Sequence, residues 1–269
     1  MAINASNRHS ARHACITCAT GNGKGIAVTS LVYPSTSCLA VFDPYGEYEG
    51  RFGRRKAFSY RTRRGFARAF AAAWKSHKPF VVVYHPQADR DRLEEMEWFG
   101  QLMWMASDGN RVLHVLFEEF GKCTESISKD DTIAGEIATG GRKFGMIAGY
   151  VFQRSAEVPK TIWGNCPIKV IGAQEYTADV KRIQDQLGCS ADDVADLGRL
   201  NQAFSAYVPA YDDRVKTKCH YLVARGLMDF SRQAALVYPN RHLVKNWSAE
   251  QKRLHQESRF TLVNPEILK

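Results

Sequence analysis

A short run near the start of the chain, Ala19-Thr20-Gly21-Asn22-Gly23-Lys24-Gly25, has the residue types of a phosphate cradle. Glycine lets successive backbone N–H groups turn toward one anion, and a lysine adds a point charge. Such a loop works where a strand ends and a helix begins, because the positive end of the helix dipole then lies behind the phosphate. The apolar run Ala14 to Cys18 precedes it and the helix-like Ile26 to Val32 follows. Ala19, Thr20, Gly21, Asn22, Gly23, Lys24, Gly25 and Ile26 are therefore the candidate nucleotide-binding residues. Two positions depart from the pattern G-x-x-x-x-G-K-[ST]: Cys18 stands where the first glycine belongs, and Gly25 where the hydroxyl belongs. That hydroxyl normally ligates Mg²⁺, so water or a nearby carboxylate has to replace it. The competing reading is a flexible glycine turn with a solvated lysine.

Phosphoryl transfer to water also needs a metal ion, a group that orients the attacking water and often a sensor of the γ-phosphate. In Val115-Leu116-Phe117-Glu118-Glu119, an apolar strand runs into two acids: Glu118 is the candidate Mg²⁺ ligand and Glu119 the candidate base. The alternative is a surface turn with two solvated glutamates. Gln153 ends the following strand, where an amide can bond both a water and a phosphate oxygen. Arg142, in Gly140-Gly141-Arg142-Lys143, sits at the opposite end of that strand. It cannot easily reach its own subunit's nucleotide and is a candidate arginine finger for a neighbour in a ring. A solvated strand-entry arginine is the alternative, and Arg154 is the competing finger.

These groups need one scaffold to bring them together. Apolar runs at Ala14–Cys18, Ser37–Phe42, Pro79–Tyr84, Val112–Phe117, Arg142–Phe152 and Ile168–Ile171 read as strands. Helical spacing recurs between them, at Phe66–Trp74, Arg90–Ala106, Thr132–Thr139, Ser155–Gly164, Tyr176–Leu187 and Ala191–Leu200. Strands alternating with helices predict an α/β fold with a mostly parallel sheet covered by helices on both faces. Open sheets of this kind take their ligands at the carboxyl ends of the strands, where the lysine loop, the acid pair and Gln153 all fall. Ala203–Val208 and Cys219–Ala224 read as late strands. His114 reads as a core or sheet-face histidine, and the Met and Trp residues of 90–106 as core.

At 269 residues, 45% of them hydrophobic, the chain can bury a proper core. No run reaches the roughly 18 to 20 apolar residues that span a bilayer, and Met1 to Arg12 lacks a signal-peptide core, which predicts a soluble protein made in a cytoplasm. Seven cysteines set mostly in apolar runs suit buried thiols in a reducing compartment. Cys15 and Cys18 form a C-x-x-C with no matching second pair, so strand alternation explains them better than a metal. Lys and Arg number 37 against 28 acids, a net charge of +9, which favours a polyanionic partner such as nucleic acid. Residues 51 to 68 interleave Arg51, Arg54, Arg55, Lys56, Arg61, Arg63, Arg64 and Arg68 with Phe52, Phe58, Tyr60 and Phe66. That pattern suits either a phosphate backbone, with the rings anchoring the loop or stacking on bases, or a solvated face over a helix.

Taken together, Ala19-Thr20-Gly21-Asn22-Gly23-Lys24, Phe42-Asp43-Pro44-Tyr45-Gly46-Glu47-Tyr48, Glu118-Glu119, Gly141-Arg142-Lys143-Phe144-Gly145 and Gln153 resemble the FtsK-HerA superfamily of ring-forming, DNA-pumping P-loop ATPases. The likeness covers roughly residues 14 to 172, with Cys18, Gly25 and Glu118 as departures. It implies a RecA-like ATPase domain over 1–225 (core about 13–172). Residues 226–269 mix Arg, His, Trp and Pro without strong periodicity and read as a basic extension packed on the domain or a partner, not a second domain. The likeness further implies ATP and Mg²⁺ at the subunit interfaces of a homo-oligomeric, hexameric ring with double-stranded DNA in its pore.

A motor of this size is most similar to the genome-packaging ATPases of tailless, internal-membrane viruses and phages. That likeness implies capsid or portal-vertex partners and a place in the host cytoplasm or at the virion packaging vertex. Two other readings stand beside it. One is a filamentous-phage assembly ATPase of the Zot type, against which the lack of a membrane span counts. The other is a weakly active nucleotide-binding DNA protein in which Gly25 marks a decayed site.

Overall fold

Strand and helix alternate along the chain as the apolar runs predict. The computed structural model describes residues 5–33, 36–124, 127–201 and 218–236. The strands are β1 (Ala14–Thr17), β2 (Cys38–Phe42), β3 (Arg51–Phe52), β4 (Arg55–Lys56), β5 (Phe58–Tyr60), β6 (Phe80–Tyr84), β7 (Leu113–Phe117), β8 (Met146–Phe152), β9 (Ile168–Ile171), β10 (Lys218–Gly226) and β11 (Asp229–Leu236). Nine of them form one sheet in the order β11-β10-β9-β1-β8-β7-β2-β6-β5, and β3 and β4 make a separate small hairpin. The sheet is parallel from β9 to β5, while β10 and β11 join antiparallel.

Register decides where chemistry can gather. Thr17 on β1 lies opposite Phe152 on β8, Tyr150 on β8 opposite Phe117 on β7, and Phe117 opposite Phe42 on β2. The residues that follow these ends, from Cys18, Gln153, Glu118 and Asp43 onward, leave the sheet along a single rim.

The helices are α1 (Lys24–Ala27), α2 (Arg63–Lys75), α3 (Arg92–Ala106), α4 (Ile133–Gly140), α5 (Lys160–Asn165), α6 (Thr177–Leu187) and α7 (Ala191–Leu200). Strand residues are buried on both faces, as a parallel sheet requires. One face packs under α2 to α7, with Phe66, Phe99, Ile137, Trp163 and Ile183 meeting Cys15, Phe42 and Phe117. The other face packs under α1, its π-helical continuation Val28–Val32 and the β3–β4 hairpin, through Ala27, Leu31, Tyr48 and Phe52. The predicted two-sided cover is present, with the helices gathered mainly on one side.

Two expectations change. Arg142 to Phe144 is a 3₁₀ turn rather than the start of a strand, and Gly145 (φ 82) turns the chain into β8. The predicted helix Ser155–Gly164 is split into a 3₁₀ turn, Ser155–Glu157, and α5. Pro159 lacks an N–H and serves as the cap of α5 instead of an interior residue. β10 runs to Gly226, and β11 is the outermost strand of the same sheet, so residues 229–236 pack on the domain. In segment 51–68, Phe52 and Phe66 are core residues, so of the two roles weighed for the rings these two anchor the segment. The predicted strand Ala203–Val208 and residues 237–269 lie outside the described residues.

Candidate functional site

The loop after β1 is anchored before it turns. Cys18 N donates to Phe152 O (3.2 Å) and Ala19 N to Ala173 O (2.9 Å), which ties the loop to the strand ends on both sides. Gly21 (φ 75) and Gly23 (φ 86) then take the left-handed conformation that glycine adopts without strain. Gly23 caps α1, and the first helical bond runs from Ala27 N to Gly23 O (3.0 Å). The amides of Lys24, Gly25 and Ile26 precede that bond and so have no acceptor within the helix. The amides of Ala19 and Asn22 are committed within the chain. Asn22 N donates to Ala19 O (3.1 Å), so both amides shape the loop.

Two residues missed in the sequence hold this loop from β10. Tyr221 Oη donates to Gly23 O (2.7 Å), and Cys219 Sγ to Asn22 O (3.1 Å), the same oxygen that Cys18 Sγ meets at 3.0 Å. A Cβ on Gly23 would lie 2.3 Å from Cys219 Sγ, so only glycine fits beneath the strand. The alternation of Cys219, Tyr221 and Val223 shows an inward strand face. Nothing in it names the loop that the face covers.

The acids occupy the ends of the neighbouring strands. Glu118 N donates to Phe42 O (2.9 Å), which keeps the acid pair beside β2. There Asp43 accepts the amides of Glu47 (3.0 Å) and Tyr48 (2.8 Å), closing the D-P-Y-G-E-Y turn. Tyr48 Oη in turn donates to Glu118 Oε1 (2.9 Å). Glu118 is 2% exposed, and burial pushes its carboxyl up to about 7 against the pull of Lys24 and the Tyr48 hydroxyl. Glu119 follows in the left-handed region (φ 50, ψ 40), which costs a non-glycine residue roughly 1–2 kcal/mol. Strain of this kind collects where a side chain must be aimed.

Glu119 is aimed at Lys24 and Gln153. The Lys24 ammonium pairs directly with Glu119 Oε1 and lies 3.9 Å from Glu118 Oε2, while Gln153 Nε2 donates to both Glu119 oxygens at 3.0 and 2.9 Å. Burial works against the Lys24 charge, and the two carboxylates outweigh it and raise its pKa. Lys24, Glu118, Glu119 and Gln153 thus meet at one point on the rim.

Arg142 is elsewhere. It lies at the amino end of β8, where its Nη1 donates to His9 O (2.8 Å). Arg154 sits next to Gln153 but turns away, pairing with Asp179 (3.1 Å) and lying over the Tyr176 ring at 4.3 Å.

Residues on this rim suit a hard divalent cation, which prefers carboxylate and phosphate oxygens. The buried Glu118 carboxyl, with one ammonium 3.9 Å away, is a ligand that a cation would complete. Among the described residues no three His, Cys, Asp or Glu side chains form a metal cluster. Mg²⁺ needs none, since it binds through one or two carboxylates and the phosphates of its substrate.

Of the basic segment, Arg55 is tied to Ser37 and Phe80 O, and Arg63 to Glu94 and Glu95. Arg51, Arg54, Arg61, Arg64 and Arg68 are exposed. No described helix is long and apolar enough to cross a membrane.

The sequence matches no family model and no curated protein. Solved structures share its fold. The genome packaging NTPase B204 from Sulfolobus turreted icosahedral virus 2, in complex with sulfate, aligns with a TM-score of 0.54 at 12% identity, over 84% of this chain and 96% of that one. Its AMPPCP complex aligns at 0.54 and 10% identity, over 83% and 96%. EssC (ATPases 2 and 3) from Geobacillus thermodenitrificans aligns at 0.49 and 12%, over 93% of this chain and 45% of that one. The B204 alignment identifies the fold as that of a P-loop ATPase, the fold that the motif resemblance implies.

Proposed function

We propose that this protein is an ATP-driven motor that moves double-stranded DNA, working as a homo-oligomeric ring in viral genome packaging. The observation that carries the reading is the meeting of Lys24 and Gln153 on the Glu119 carboxylate, at the rim where a phosphate loop ends.

Each residue has a task in that reaction. The amides of Lys24, Gly25 and Ile26 and the Lys24 ammonium bind the phosphates of ATP. With Lys24 drawn to phosphate, Glu119 has an open lone pair for the attacking water. It takes the proton as the water oxygen bonds to the γ-phosphorus and the bridging oxygen departs with ADP. Gln153 keeps the carboxylate directed during that step. Glu118 would hold Mg²⁺, which when bound neutralises phosphate charge.

For DNA, the reading leans on the net charge of +9, on exposed Arg51, Arg54, Arg61, Arg64 and Arg68, and on the likeness to a packaging NTPase. Arg64 and Arg68 lie one turn apart on α2 and share a face. Capsid or portal-vertex proteins are the partners this role calls for, and Arg142 is the residue to complete a neighbour's site.

The test is Mg²⁺-dependent ATP hydrolysis with and without long duplex DNA, joined to electron microscopy of the particle with an ATP analogue and DNA. Hydrolysis that rises with duplex length, in a ring with DNA in its pore, is expected. Hydrolysis indifferent to DNA removes the translocase, and nucleotide binding without hydrolysis leaves a regulatory DNA protein.

A further inference from the structure

Gly25 occupies the place where a phosphate loop carries its metal-binding hydroxyl, and another side chain fills the space that it leaves. A Cβ built on Gly25 lies 2.9 Å from Glu47 Oε1 and 3.9 Å from Tyr48 Oη. A serine or threonine there would have to displace the Glu47 carboxylate, the end of a flexible side chain. Gly25 leaves that carboxylate its place beside the loop.

Glu47 is brought to this point by the turn after β2. Asp43 receives the amides of Glu47 and Tyr48, and Tyr48 Oη is fixed on Glu118, so the turn is pinned at both ends beside the loop. Its carboxylate is left over. Among the described residues, no hydrogen bond or ion pair engages either oxygen of Glu47, although it is exposed at the rim and within the field of Lys24. An acceptor held next to the phosphate loop with nothing to accept from is a ligand in waiting. A carboxylate also binds a hard dication more strongly than a neutral hydroxyl does.

We infer that Glu47 takes over the task of the missing phosphate-loop hydroxyl, ligating the divalent cation that accompanies the nucleotide. The inference rests on the ATP-site reading above and specifies how that site works without a Ser or Thr. It also has an electrostatic consequence. Glu47, Glu118 and Glu119 together face one lysine, so a triphosphate without its metal meets an acidic rim and binds poorly.

The experiment measures Mn²⁺ affinity by electron paramagnetic resonance in the presence of a non-hydrolysable ATP analogue. It also measures metal-free analogue affinity in EDTA, both on the full chain. Glu47→Gln should weaken Mn²⁺ binding by about tenfold or more. It should leave metal-free analogue affinity unchanged or raised. Gly25→Ser combined with Glu47→Ala should regain Mn²⁺ affinity over Glu47→Ala alone, because loss of the carboxylate opens room for the hydroxyl.

Mn²⁺ affinity in Glu47→Gln within about twofold of wild type overturns the inference. So does a double variant with no gain, or a Glu47→Gln that loses metal-free binding as much as metal binding, which would mark a merely structural carboxylate. In each of those cases the ATP site stands if wild type binds the analogue and Lys24→Ala does not. A wild type that binds no analogue, with or without metal, overturns both.

Discussion

Gln153 and Glu119 are joined by two hydrogen bonds, at 3.0 and 2.9 Å, across the gap between the ends of β8 and β7. The amide nitrogen is shared between both oxygens of one carboxylate, and Lys24 meets the same carboxylate from the loop. On the reading proposed above, a base tied to a lysine in this way is held idle. Nucleotide phosphate would compete for the lysine, which would link occupation of the site to release of the base.

Glu119→Gln should retain ATP and lose turnover by about 10²–10⁴-fold, the usual contribution of a positioned base. Binding should hold or tighten, because Lys24 loses its nearest carboxylate. Single-turnover hydrolysis beside equilibrium binding of a fluorescent ATP analogue separates the two effects. Near-normal turnover would move the base elsewhere, with Glu118 the next residue to test.

Lys24→Ala should weaken nucleotide binding by at least about tenfold, given roughly 1.5–3 kcal/mol for a charge-assisted hydrogen bond. It also frees the carboxylates of Glu119 and Glu118 to repel phosphate. Calorimetry with the analogue measures the change. An unchanged affinity would show that the loop after β1 is no phosphate cradle.

Local signals carried much of this far from the structure. The parallel strands were legible because each is a short apolar run, and the gathering of Lys24, Glu119 and Gln153 followed from their places just beyond strand ends. What stayed hidden depended on contacts distant in sequence. Tyr221 and Cys219 latch Gly23 and Asn22 from β10, and no local pattern reports which loop an inward strand face will cover. Arg142 was read into a strand because its neighbours are apolar enough, whereas Gly145, at φ 82, turns the chain first. The spacing of Phe52 and Phe66 leaves open whether the rings anchor the segment or stack on bases, and their packing under the hairpin and α2 decides for the first.

Tyr221→Phe removes the hydroxyl that donates to Gly23 O while keeping the ring. Gly23 O still accepts from Ala27 N, so the cost in stability should be about 1 kcal/mol. The loop should be less fixed, and nucleotide affinity should fall a few-fold with the Mg²⁺ requirement unchanged. Urea unfolding and analogue titration test this together. A normal affinity with the expected stability loss would make β10 a structural edge with no influence on the site.

Stability should fall in acid between pH 6.5 and 4. Burial lowers the pKa of both His13 and His114 to about 4, from 6.5, with Arg142 adding to the effect at His13 and Arg12 and Arg55 at His114. In that window the unfolded chain binds a proton at each histidine and the folded chain does not, so each contributes stability that is complete above 6.5 and lost toward 4. Each amounts to about 3 kcal/mol at the limit. Glu118 acts the other way: its folded pKa near 7 lies above the ordinary 4.5, so it gains relative stability as pH falls through that range and offsets roughly one histidine. The net loss should be about 2 kcal/mol between pH 7 and 4.5 in urea titrations. His13→Asn, which can still accept from Ala148 N, should remove most of it. A wild type equally stable at both pH values would contradict the buried neutral histidines.

Arg142→Ala addresses the neighbour's site. Arg142 stands at the far end of β8 from Gln153, and among the described residues its guanidinium donates to His9 O, so its removal should spare nucleotide binding and cost about 1 kcal/mol of stability. If it reaches across a ring interface, hydrolysis should still fail, and the failure should appear at sites that face a mutant neighbour. Mixing Arg142→Ala subunits with Lys24→Ala subunits distinguishes this from simple damage. A site with an intact loop next to an intact arginine forms in the mixture although neither parent ring contains one, so turnover should rise above that of both parents. No recovery, with Arg142→Ala alone fully active, would transfer the role to Arg154. That residue would have to leave its pair with Asp179 to act, and Arg154→Ala should then be the variant that binds ATP without turning it over.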